Sequence, residues 1–400
     1  MQSFYEYNLS DNLNKSLKTL GFKNPTEIQS KTIPIALKRH DILASAETGS
    51  GKTAAYLIPL IHHISTLGNI SGLILTPTRE LAQQVTDVSK SLVGYKSKIE
   101  TALIVGGASM NNQLRQLKKR PKIIVGTPGR INDHLEKRTL NLKYFNFFVL
   151  DEADRMLDMG FEDQVEKIIR FLPSKRQTLL FSATLPKEII KLSSKYLNNP
   201  KRADVKENNV IKTQIKQKIL NTKTELKYNQ LVDEIALRKG SILIFVRTKY
   251  STEKLKKRLM KDTVKSSALH GDLRQNKRSR ILKDFRDDKF RILIATDIAS
   301  RGLDVPHIEH VINYDLPQVP EDFIHRIGRT ARAGSVGEAV SFITPNDKRM
   351  WKSIENLMEE LKNPDQVPEN KKVVQKEFKK RNRNRKRNSK SRKYYQRSRN

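Results

Sequence analysis

Short apolar, β-rich runs recur along the first half of this chain: ILASA (42–46), GLILTPT (72–78), TALIVGG (101–107), KIIVGTP (122–128), FFVLDEAD (147–154) and TLLFSAT (178–184). Their near-continuous Val, Ile and Leu reads as strands buried on both faces. That requires a parallel sheet with helices packed on either side. The intervening segments have helical periodicity; in FEDQVEKIIRFL, Phe161, Val165, Ile168, Ile169 and Leu172 share one face. A polar stretch at 198–217 breaks the rhythm and reads as an interdomain linker followed by an entering strand. The pattern then restarts with SILIFVRT (241–248), SSALHGD (266–272), RILIATD (291–297), HVINYDLP (310–317) and AVSFITP (339–345). The fold class is therefore α/β, with two tandem parallel-sheet domains at residues 1–205 and 212–362. Residues 363–400, dominated by Lys, Arg, Asn and Ser, cannot bury a core and are expected to form a disordered basic tail.

Between the first run and a helical stretch, AAYLIPLIHHI, lies AETGSGKT, residues 46–53. Here Ala46, Glu47, Thr48, Gly49, Ser50 and Gly51 bring backbone N–H groups close to an anion. Lys52 places an ammonium near the outer phosphates of a nucleotide, and the Thr53 hydroxyl can hold Mg²⁺. A strand–loop–helix setting aims the helix N-terminus at those phosphates. The strict motif begins with Gly, so Ala46 is a departure.

Charge points to a polyanion. The 77 Lys and Arg against 43 acids give +34. Lys371 to Arg399 contributes fifteen Lys/Arg and one acid, Glu377, a net of +14, which leaves +20 on the rest. Nucleic acid is the first partner such an excess suggests. No cysteine is present, which excludes disulfides and thiolate metal sites. The first twenty residues lack the apolar core of a signal peptide, and no window approaches the ~18 apolar residues of a membrane span. A soluble, cytoplasmic protein without membrane contact is the expectation.

Polar residues cluster just after the apolar runs: Thr76 to Arg79, Asp151 and Glu152, Ser182 to Thr184, and Asp297. Ligands of open α/β sheets bind outside the carboxyl ends of strands. A carboxylate there, beside a phosphate loop, is where an ATPase holds Mg²⁺; its neighbour can orient or deprotonate the attacking water. Asp151 and Glu152 take those two roles.

The set DEAD (151–154), AETGSGKT, PTRELA (77–82), TPGR (127–130), SAT (182–184), ATDIASRGLD (295–304) and HRIGRTARAG (325–334) resembles the DEAD-box RNA helicases, from residue 4 to about 345. The tail and motif details look most like the bacterial RhlE and SrmB type. The resemblance implies RecA-like domains, ATP and Mg²⁺. GFKNPTEIQ (21–29) is similar to the family's adenine-reading motif, with Gln29 matching the adenine edge and Phe22 and Phe4 supporting the base. The resemblance assigns Arg329 and Arg332 to the γ-phosphate and Asp304 to the ribose; Ser182 and Thr184, at a strand end near the acids, are the candidates for coupling nucleotide state to RNA. Among Arg326, Arg329 and Arg332, the family pattern selects the last two. Ala331 departs from the Gly that many members carry.

For RNA, the resemblance implies Arg79, Gly106, Gly107, Thr127 and Arg130 in the first half. In the second it implies Arg247, Gly271, Gln275, Arg278 and Thr296. Arginines and backbone N–H groups suit sequence-independent contacts to phosphates and 2′-OH groups. The implied function is an ATP-dependent RNA helicase, acting as a monomer on short duplexes or RNA–protein complexes, with ribosomal RNA or RNA-decay proteins as partners. A DNA translocase of related architecture and an ATP-dependent RNA clamp are the alternatives.

Overall fold

The computed structural model describes residues 3–47, 49–94, 97–205, 215–300, 308–331 and 337–362. Strands β1 (Ile42–Ser45), β2 (Gly72–Leu75), β3 (Thr101–Ile104), β4 (Ile123–Gly126), β5 (Phe147–Leu150), β6 (Gln177–Ser182) and β7 (Lys201–Asp204) build one sheet. Their spatial order is β3-β4-β2-β5-β6-β1-β7, and every pairing is parallel. Successive side chains of a strand point to opposite faces, and here both faces are apolar. Ile74, Phe147 and Val149 pack with Leu13, Ile33, Tyr56 and Val85 in one core. Their neighbours Leu73, Leu75, Phe148 and Leu150 pack with Ile131, Met156, Val165 and Ile189 in the other. Helices α1 (Asp11–Thr19), α2 (Glu27–Leu37), α3 (Lys52–Leu67) and α4 (Arg79–Val93) cover the first face. Helices α5 (Met110–Lys118), α6 (Pro128–Glu136), α7 (Ala153–Asp158), α8 (Glu162–Ile169) and α9 (Lys187–Tyr196) follow in sequence, and α6 to α9 supply the second core.

The second sheet comprises β8 (Ile215–Asn221), β9 (Ile242–Phe245), β10 (Ser266–Leu269), β11 (Ile292–Ala295), β12 (His310–Asn313) and β13 (Gly337–Ile343). Its order is β10-β11-β9-β12-β13-β8, again parallel throughout. Leu231, Ile235, Leu255 and Leu259 cover one face; Leu282, Phe285, Phe323, Trp351 and Ile354 cover the other.

One expectation needs correcting. Lys201 to Asp204, read as linker, form the edge strand β7 in register with β1, Ile42 opposite Lys201. Only Ala203 of this strand is buried, so backbone hydrogen bonds hold it and no apolar run announces it. The expected tail lies outside the described residues. Among the described residues no helix is long and apolar enough to cross a membrane.

Candidate nucleotide and RNA site

The phosphate loop leaves β1 at Ala46, whose N–H donates to the Ser182 carbonyl at 3.0 Å. Ala46 is buried in the first core and has no positive φ, so its methyl group fits where the strict motif has Gly. Gly51 is different. It caps α3 at φ +95°, and a Cβ there would lie 2.5 Å from Gln29 Nε2. Lys52 is buried, its Nζ donating to the Ala46 carbonyl at 2.7 Å. Ser50 Oγ donates to the Glu47 carbonyl, and Thr53 is half-buried at the start of α3. Thr48 lies outside the described residues.

Gln29 is 3% exposed and clamps this loop. Its Nε2 donates to Gly51 O at 3.0 Å, and its Oε1 accepts from Thr26 N–H at 3.0 Å. Thr26 Oγ1 donates to Ser50 O at 2.8 Å. A carboxamide has two donors and two lone pairs, so one of each remains for a base edge. Phe4 is buried, edge-on to Phe22 with ring centroids 5.9 Å apart. Its ring therefore props Phe22 and offers no open face of its own.

At the end of β5, Asp151 is 2% exposed. Its Oδ2 accepts from Tyr56 Oη at 2.8 Å and its Oδ1 from Glu152 N–H at 3.0 Å. Burial pushes its pKa up to about 6, opposed by the Lys52 charge. Glu152 holds a left-handed backbone, φ 52° and ψ 52°, at the N-cap of α7. Such a conformation in a non-glycine residue persists only where its surroundings impose it. Here Arg155 Nη1, also buried, donates to Glu152 Oε2 at 3.0 Å. Asp154 Oδ2 accepts from Ala183 N–H, Thr184 N–H and Thr184 Oγ1 at 3.1 to 3.4 Å, while Ser182 Oγ donates to Thr184 O. The acids and the SAT segment are thus one hydrogen-bonded unit.

Tyr56, Asp154 and Arg155 carry no role in the sequence analysis. Helical spacing could have found them: Tyr56 is four residues beyond Lys52, Asp154 three beyond Asp151, and Arg155 three beyond Glu152.

The residues assigned to RNA also stand at strand ends. Arg79 opens α4 after β2, and its guanidinium lies on the turn after β3. A Cβ on Gly107, φ +75°, would sit 2.3 Å from Arg79 Nη1, and one on Gly106 3.3 Å from Nη2. Thr127 caps α6 after β4. Arg130 donates from Nε to Val105 O and from Nη2 to Ala108 O, on that same turn. Burial, then the nearby Arg278, then Arg130 hold the Arg79 pKa below its usual range, with Glu80 opposing them. An anion relieves that repulsion.

In the second lobe, Arg247, Gly271 and Thr296 follow β9, β10 and β11. Arg247 and Gly271 are exposed and Thr296 is half-buried. Gln275 is buried and its Oε1 has no partner among the described residues. Arg278, expected to face RNA, faces protein instead: Nε donates to Glu80 Oε1 at 2.6 Å, Nη1 to His270 O and Nη2 to Ala299 O. Arg326 is fully buried and scaffolds the lobe, with Nε and Nη2 on the two oxygens of Asp297 and Nη1 on Asn313 Oδ1. Arg329 is buried, its N–H donating to Arg326 O. Asp304 and Arg332 lie outside the described residues. Ala331 has φ +56°, which explains why Gly suits this position.

Residues 26–192 match the DEAD/DEAH box helicase family, and residues 226–334 match the helicase conserved C-terminal domain. The DEAD-box ATP-dependent RNA helicase CshA of Bacillus subtilis is 40% identical over 368 residues, covering 90% of this chain and 74% of that protein. A relative from Listeria monocytogenes also carries the name CshA, so neither protein supports an RhlE or SrmB subtype. S. cerevisiae Dbp5 bound to RNA and ADP BeF3 superposes with a TM-score of 0.79 at 33% identity, over 89% of this chain and 93% of that one. A DEAD box protein from Methanococcus jannaschii, 43% identical over 90% and 98%, scores only 0.51. With coverage alike, the better score at lower identity reflects lobes arranged as in the RNA-bound protein. The chain belongs to the DEAD-box helicases.

Proposed function

We propose that this protein is an ATP-dependent RNA helicase whose two lobes close over one ATP and one RNA strand. The buried Glu80–Arg278 pair carries the reading, because it ties a strand-end helix of the phosphate-binding lobe to the lobe that bears Arg329. Lys52 exchanges the Ala46 carbonyl for phosphate oxygens. Thr53 and Asp151 suit Mg²⁺, which needs few protein ligands, all oxygen, when phosphates and water supply the rest. That ion supplies charge neutralisation at the outer phosphates. Glu152, held beside Arg155, orients the attacking water. Arg329 and Arg332 neutralise charge developing on the γ-phosphate, and such fingers are worth ~10³–10⁵ in rate. Gln29 reads the adenine edge with its remaining donor and lone pair, and Asp304 holds the ribose.

Arg79, Gly107, Thr127 and Arg130 grip phosphates and 2′-OH groups from one lobe; Arg247, Gly271 and Thr296 do so from the other. Asp154 transmits nucleotide state to Ser182 and Thr184. A duplex that fits the closed path poorly is locally parted, and hydrolysis reopens the lobes. The tail, with Tyr394 and Tyr395 among Lys and Arg, tethers RNA by counterion release. The reading extends to a cytoplasmic monomer that remodels ribosomal RNA or works with RNA-decay proteins.

Glu152→Gln tests the chemistry: ATP and RNA should still bind while RNA-stimulated hydrolysis collapses. Wild-type turnover in that variant contradicts the role given to Glu152. Greater stimulation of the native protein by DNA than by RNA of equal length would favour a DNA translocase.

A further inference from the structure

Helix α5 lies against the edge strand β3, and its inner face is polar. Gln116 Oε1 accepts the Leu103 N–H at 3.0 Å, blunting the sheet edge, and Gln113 Nε2 donates to Val105 O at 3.2 Å. The helix's two leucines, Leu114 and Leu117, are half-buried, and Leu117 also packs against the second core. Asn111, Leu114, Arg115 and Lys118, spaced i, i+3, i+4 and i+7, line an open groove of about 660 Å³ with Leu117 and Thr139. That volume lies within the range that takes small organic ligands, a nucleobase included. Asn112 Oδ1 steadies the Arg115 guanidinium. Among the described residues the Asn111 carboxamide has no partner.

Two observations choose the occupant. Helix α5 and the turn after it carry Arg115, Lys118, Lys119 and Arg120 and no acid. Glu100 pairs with Lys119 and Asp133 with Arg130, each at 3.8 Å, which leaves Arg115, Lys118 and Arg120 as a net positive field at the groove. The helix also begins at the RNA contact proposed above: Met110 Sδ lies 4.0 Å from Arg130 Nη1. We propose that α5 is an extension of the RNA path. A single-stranded flank leaving Arg130 runs along the helix with its phosphates on Arg115 and Lys118. One base sits over Leu114 and Leu117, its edge on Asn111. The assignment rests on the helicase reading and adds a site to it.

The test compares an RNA just long enough to span both lobes with one extended by the ~13 Å length of α5. The full chain should bind the extended RNA more tightly. In the double variant Arg115→Glu, Lys118→Glu that preference should vanish, while affinity for the short RNA and the ATPase it stimulates stay at wild-type level. Because the variant neutralises two fewer phosphates, the slope of log K against log salt for the extended RNA should shrink by ~1.4. A 4-thiouridine in the extension should crosslink to residues 111–118 of the unmutated protein. A preference retained by the variant, or a crosslink elsewhere, overturns the assignment and leaves the groove to an acidic protein segment. Equal loss of both RNAs, with circular dichroism unchanged, overturns it too, because Arg115 and Lys118 would then belong to the central path. Wild-type ATPase indifferent to the short RNA sinks the helicase reading, and the groove assignment with it.

Discussion

Arg278 Nε lies 2.6 Å from Glu80 Oε1, and each of these side chains, from opposite lobes, is 4% exposed. Two further bonds, to the His270 and Ala299 carbonyls, place each of the three guanidinium nitrogens in a hydrogen bond within the protein. Removing one partner of a buried pair strands the other charge, at a cost of ~3–5 kcal/mol. That cost falls on the closed form alone, since in open lobes both groups reach water. Arg278→Ala should therefore lower the closed population on the order of a hundredfold or more with an ATP analogue and RNA. Fluorescence energy transfer between dyes on the two lobes measures it. Normal closure in the variant would remove the latch from the mechanism.

Gly107→Ala addresses the RNA grip. The added methyl would fall 2.3 Å from Arg79 Nη1, and φ +75° is unfavourable for any Cβ. Arg79 must move off the turn, losing a charged hydrogen bond worth ~1.5–3 kcal/mol, or roughly tenfold or more in RNA affinity. ATP binding without RNA should not change. Fluorescence anisotropy with labelled RNA and with labelled nucleotide separates the two.

Ala331→Gly should stabilise the protein. A left-handed conformation costs an L-residue ~1–2 kcal/mol, and the flexibility glycine adds to the unfolded chain offsets ~0.5–1 kcal/mol of the gain. The net gain is at most about 1.5 kcal/mol, a rise in Tm of up to about 3–6 °C for the second lobe. A lower Tm by calorimetry would contradict the φ argument.

Asp151→Asn should separate stability from activity. The folded carboxyl titrates near 6 against an ordinary 3.8, so burial disfavours its charged form. A raised acid pKa means the native state loses stability as pH rises from about 4, and the loss is complete above about 6, amounting to ~3 kcal/mol. The variant without nucleotide should therefore melt higher than wild type at pH 7.5, with the gap closing below pH 6 and gone near pH 4. Its ATPase should be lost throughout. A Tm below that of wild type at pH 7.5 would show that Lys52 needs the carboxylate more than burial penalises it.

The order of strands and loops was legible because each buried parallel strand needs apolar residues on both faces, and a linear run of Val, Ile and Leu records that need directly. The phosphate loop was legible for a similar reason: Gly51 and Lys52 act where they stand. β7 was not, because an edge strand is held by backbone bonds that any sequence can make. Nor were the inter-lobe role of Arg278 and the inward turn of Gln29, since a side chain's partner depends on which distant carbonyl or carboxylate the fold brings within hydrogen-bonding reach. Local sequence determined the elements and the ligand-facing ends of the strands. Only the packed tertiary structure decided which polar groups satisfy one another in the interior and which remain for ATP and RNA.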